Sequence, residues 1–190
     1  MRETASIKPA HVVKILERAQ ANIQNLNDEE RRSNASWTRE IRLEFAREGK
    51  ARGLYAYPDR SDGLDRSEWL YDVCWIDYGN GYDPVSAAEM RLFKSVLLAV
   101  ECEWKVKITD FLDDFEKLLQ VRSSLRVMIF GSDDPEALAH RSAQAEEVIR
   151  AYRDKREDDI FIVVRMYNDS KIPFDYNVIL VSDVMTEEID

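Results

Sequence analysis

Apolar positions along the chain change period several times, and each change marks an element. Between Pro9 and Leu26, Val12, Val13, Ile15, Leu16, Ala19 and Ile23 recur at one helical face, which predicts an amphipathic helix with Pro9 in its first turn. The polar run N-D-E-E-R-R-S-N breaks it. A second helix is predicted from Trp37 to about Glu48, with Ser36 as N-cap and Gly49 as stop. On its wheel Trp37, Ile41, Glu44, Phe45 and Glu48 share one stripe, so two acids lie on the face that should meet the core.

The period then drops to two. Leu54 to Tyr57 reads as a short strand ended by Pro58, and Glu68 to Tyr78 as a longer one rich in aromatic and β-branched residues. Asp72 lies in its interior on the parity of Leu70, Cys74 and Ile76, and G-N-G-Y-D-P is expected to close it. A short helix is expected over Ser86 to Phe93. Ser95 to Trp104 carries apolar residues on both parities, as an internal strand covered on both faces does. It ends in Glu101 and Glu103, whose side chains should share one face.

Thr109 or Asp110 can cap a helix running to about Ser123, with Phe111, Leu112, Phe115, Leu118, Leu119 and Arg122 inward. Arg126 to Phe130 reads as a buried strand, Asp134-Pro135 starts a helix to about Lys155, and strands over Ile160 to Tyr167 and Tyr176 to Ser182 finish the chain. The order is α, α, β, β, β, α, β, α, β, β. It predicts an α/β domain with a mixed sheet flanked by helices over residues 33–190, preceded by an N-terminal helical extension over residues 1–32.

Composition narrows the function classes. The chain has 190 residues, two cysteines, no signal-peptide core at its start and no apolar run near the roughly 20 residues of a membrane span, so a cytoplasmic protein with free thiols is expected. By strand parity Cys74 and Cys102 should not be partners. A net charge of -10 argues against non-specific nucleic-acid binding, although Arg31 to Arg52 holds seven basic residues against three acids and allows one basic face. His11 and His140 fall outside any nucleophilic constellation, and no Gly-rich phosphate loop or internal repeat is present. Trp69, Trp75 and Trp104 read as core or interface residues.

Acids that end an internal strand need compensation, because an ionised carboxylate is costly to bury without a cation or hydrogen bonds. Mg²⁺ takes one or two carboxylates together with water and phosphate oxygens, so Asp72 on one strand and Glu101 on its neighbour suffice, with the Cys102 carbonyl as a further donor. At these residues the sequence resembles the PD-(D/E)XK nuclease superfamily, whose restriction-endonuclease-like core runs helix, three strands, helix, strand. The resemblance spans about Trp37 to Phe130. It implies a Mg²⁺- or Mn²⁺-dependent nuclease acting on nucleic acid, DNA first, with Asp72 and Glu101 as metal ligands. Glu44 is similar to the acid that the family often carries on the preceding helix, and Glu48 is the neighbouring alternative. Tyr71 stands where the family has Pro, and Glu103 where it has Lys. Glu103 would then act as a base or further ligand, and Lys117 on the following helix, near Asp114 and Val121 on the wheel, is the relocated lysine; Lys105 keeps the strand parity. The alternative is a catalytically silent interaction module of the same fold, and a homodimer is compatible with either.

Overall fold

The computed structural model describes residues 7–31, 33–57, 70–83, 88–105, 107–167, 169 and 171–186. Along them run α1 (Pro9–Gln24), α2 (Asp28–Arg31), α3 (Asn34–Ala51), β1 (Tyr55–Tyr57), β2 (Val73–Asp83) and β3 (Ala88–Glu103). Then follow α4 (Ile108–Gln120), β4 (Leu125–Gly131), α5 (Ala137–Ala151), β5 (Ile160–Met166), β6 (Asp175–Leu180) and α6 (Val181–Thr186). The six strands pair in chain order as one mixed sheet, β3, β4 and β5 parallel and the other neighbours antiparallel. The fold is the expected α/β class: a mixed sheet flanked by helices, with a helix at the N-terminal side. No helix among the described residues is long and apolar enough to cross a membrane.

Two apolar layers hold the helices to the sheet. On one face Val12, Ile15, Leu16 and Ile23 of α1 and Trp37, Ile41 and Phe45 of α3 pack with Val73, Trp75, Leu98, Val100 and Val127. The helix of the N-terminal segment therefore buries its stripe in the same layer as α3. On the other face Phe111, Phe115 and Leu118 of α4 and Ala145 and Ile149 of α5 cover Cys74, Ile76, Ala99, Met128 and Val163. Alternation along β2 and β3 sends neighbouring residues to opposite layers, which is why their apolar residues occupy both parities. It also keeps the free thiols apart, Cys74 in the second layer and Cys102 against the first.

Several boundaries differ from the sequence expectation. Ser36 lies inside the first turn of α3 rather than capping it, since the helix begins at Asn34 behind Ser33. Gly49 does not stop α3; the chain turns at Gly53, which adopts φ 74° and donates to the Lys50 carbonyl at 2.8 Å. Gly49 serves another purpose: a Cβ there would come within 2.7 Å of Trp75 Nε1, whose N–H donates to the Phe45 carbonyl at 3.0 Å. α4 begins at Ile108, ahead of both candidate caps, and α6 occupies residues expected to extend the last strand.

The largest correction is at residues 88–93, where no helix forms. Gly79-Asn80-Gly81 does not close β2, which runs on to Asp83 and pairs with β3 as far as Asp83↔Ala88. The register shifts between Trp75 and Ile76 and between Asp77 and Tyr78, as it does at a β-bulge. Hairpin pairing with the preceding strand has overridden a local helical pattern. Glu68 and Trp69, and the expected helical residues 86 and 87, lie outside the described residues.

Candidate metal and phosphate site

β2 begins at Val73, paired with Val100, so Asp72 is not in the interior of the strand as expected but in the bend just before it, next to the end of β3 that carries Glu101. The ladder changes character there. Asp72 Oδ2 accepts the Cys102 N–H at 2.7 Å, so a side chain takes the place of the next backbone carbonyl, while Oδ1 accepts from Arg42 Nη2 of α3.

Glu101 points into the α4 layer and is only 4% exposed. Burial first, then the charge of Asp72, pushes its carboxyl up to about 8, against an opposing pull from Lys117. Lys117 Nζ lies 3.9 Å from Glu101 Oε1 and donates to Asp114 one turn earlier on α4. The Asp114 hydrogen bond, partly offset by burial, and then the charge of Glu101 raise the Lys117 pKa and keep it ammonium. Tyr71 sits beside the group, its hydroxyl pKa raised by burial and by the Glu101 charge. The result is two carboxylates under a lysine on one side and an arginine on the other.

The remaining candidates take other positions. Glu103 is half-buried and its Oε1 accepts the Lys105 N–H at 2.6 Å, which terminates β3. Lys105 itself is exposed, with its ammonium 3.9 Å from Asp110. Glu44 is buried on the α3 stripe, as the wheel predicts, but that stripe meets α1 as well as the sheet. Its carboxylate accepts from Arg18 Nε at 3.0 Å, Asn22 Nδ2 at 3.0 Å and Arg47 Nη1. Burial opposes its charge, yet these three hydrogen bonds leave its pKa below the usual carboxylate value. Glu48 joins the same network through Arg18 at 2.9 Å and Arg52 at 3.0 Å. Sequence candidates Asp72, Glu101 and Lys117 therefore converge, whereas Glu44, Glu48 and Glu103 have their own partners.

Asp114 is three residues before Lys117 on a helix, a spacing that brings side chains together and marks the pair in the sequence. Arg42 lies among many arginines of α3, and nothing local distinguishes the one that reaches Asp72. Among the described residues no group of three or more His, Cys, Asp and Glu side chains gathers around one point as a metal centre. The donors that do adjoin are two carboxylates, a hard oxygen set that suits Mg²⁺ or Mn²⁺ when water and substrate oxygens complete the shell. Comparison with protein-family models, with curated proteins and with solved structures found no match to this chain.

Proposed function

We propose that the protein is a divalent-metal-dependent phosphodiester hydrolase of the PD-(D/E)XK type acting on nucleic acid, DNA in the first instance. The observation that carries this reading is the convergence of Asp72, Glu101 and Lys117 from three different segments, with the ammonium 3.9 Å from Glu101 Oε1. The order of α3, β1, β2, β3, α4 and β4 supports it, being the helix, three strands, helix, strand of the resembled core. Asp72 and Glu101 would hold Mg²⁺ or Mn²⁺, which when bound polarises a phosphoryl oxygen and acidifies a coordinated water. Lys117 presents a fixed positive charge beside the carboxylates, where charge develops on a phosphoryl group under attack, and Asp114 orients it. Loss of the strand lysine to Glu103 is then made good from the helix.

A second reading, a catalytically silent module of the same fold, is favoured by the Arg42 contact with Asp72. A guanidinium already neutralises that carboxylate, and the Cys102 N–H satisfies its other oxygen. Calorimetric titration with Mn²⁺ separates the two. Site-specific binding that disappears in Glu101→Ala and Asp72→Asn, together with cleavage of single-stranded, duplex or branched DNA that stops in Lys117→Ala, supports the hydrolase. Equal titration curves for wild type and both carboxylate variants overturn it.

A further inference from the structure

On the same layer as the carboxylates but beyond the C-terminal end of α4, a cavity of about 520 Å³ opens between that helix end and the loop joining α5 to β5. Its charged lining is Arg122, Arg126, Lys155 and Arg156 against Asp154 and Asp159. An internally balanced ion-pair network has as many acids as cations. Here cations outnumber acids two to one, on a protein whose net charge is -10.

The cations are anchored from below. Arg126 is 2% exposed, and its Nε and Nη2 donate to the Val121 carbonyl at 3.1 and 2.6 Å. Its Nη1 is held in a salt bridge to Asp159 Oδ1 at 2.9 Å. The same Oδ1 accepts from Arg156 Nη2 at 3.1 Å, so one buried carboxylate fixes two guanidiniums. Lys155 Nζ donates to the Arg150 carbonyl at 2.6 Å, which leaves its other N–H groups to turn toward the cavity. An ammonium and a partly exposed guanidinium on a cavity wall, above a buried guanidinium, form an arrangement that receives a dianionic phosphate.

We infer that this cavity binds an organic phosphate of nucleotide or sugar-phosphate size, with Lys155 and Arg156 on its phosphate and Arg126 adding positive charge beneath them. Size sets the class: the volume lies in the range of small-molecule sites and far exceeds one phosphate ion. Tyr152, half-buried, lines the cavity and would be the aromatic neighbour of the organic part. The inference stands apart from the hydrolase reading, because none of the lining residues is Asp72, Glu101 or Lys117.

The test is calorimetric titration of the metal-free full chain with a nucleoside 5′-monophosphate, a sugar monophosphate and inorganic phosphate, in a sulfate-free buffer balanced with chloride. At least one organic phosphate should bind at least tenfold more tightly than inorganic phosphate. Lys155→Ala and Arg156→Ala should each weaken it about tenfold, the size of one lost charge-assisted hydrogen bond. Both side chains are at least partly solvent-exposed and Asp159 keeps Arg126, so folding should survive, as circular dichroism will show. Asp154→Asn removes a lining acid and should tighten binding several-fold, a gain that misfolding cannot produce. The inference is overturned if no phosphate binds, if inorganic phosphate binds as well as the organic ones, or if the variants bind as wild type does.

Discussion

At the scale of single residues, Glu101 shows how burial and a like charge act together. Its folded pKa of about 8 stands above the ordinary 4.5, so the native state holds a proton that the unfolded chain releases between those values. Stability associated with Glu101 is thus fully present below about 4.5 and is lost as pH rises toward about 8. Urea melts in chelator should show that decline, and Glu101→Gln should flatten it and be the more stable form at pH 8.5. Arg42 raises a second question at this scale. If the site takes a cation as proposed, its guanidinium competes for Asp72, and Arg42→Ala should bind Mn²⁺ several-fold more tightly by calorimetry; unchanged or weaker binding would argue that Arg42 is not a competitor. Gly49 concerns packing alone. Gly49→Ala gains up to about 1 kcal/mol of helix propensity but sets a methyl 2.7 Å from Trp75 Nε1. Overpacking of that kind costs about 1–3 kcal/mol, so a net loss in thermal melts is expected.

At the scale of elements, the acids of the α3 stripe show why a wheel can be right about burial and silent about partners. The wheel placed Glu44 inward, and it is buried. Which neighbour it meets depends on where α1 docks, and α1 brings Arg18 and Asn22. Because Glu44 has a depressed pKa, its stabilising contribution is present above the ordinary 4.5 and is lost as pH falls through its folded value. Glu44→Ala should cost about 2 kcal/mol, the worth of hydrogen bonds to a charged group, and should speed proteolysis near α1. If α1 is as resistant as in wild type, the network does not hold the helix. The β2–β3 hairpin teaches the converse lesson. Its far part, with Leu92 46% and Phe93 53% exposed, has too little burial to show an alternating pattern, so only the pairing with β2 reveals the strand.

At the scale of the whole molecule, the sheet brings together groups far apart in the chain. Asp72, Glu101 and Lys117 belong to the bend before β2, the end of β3 and a helix, and the parallel crossover from β3 through α4 to β4 sets the helix over Glu101. Ligand binding to such a native-only site raises stability by RT ln(1 + [L]/Kd), about 2.7 kcal/mol at a hundredfold excess over Kd. On the proposed function, saturating Mn²⁺ should raise the melting temperature of wild type and leave that of Asp72→Asn unchanged. An equal rise in both would place the ion elsewhere.

The sequence by itself determined the class of fold and most elements, because burial on one face of a helix or both faces of a strand leaves a period that can be read locally. It also singled out Asp72, Glu101 and Lys117, through strand parity and the resembled order of elements. Only the tertiary structure decided that Lys117 reaches Glu101, that Arg42 sits on Asp72, that Glu44 answers to α1, and that residues 88–93 extend a strand. These depend on how segments pair and dock, and a period of two or of 3.6 says which face is buried without saying what covers it.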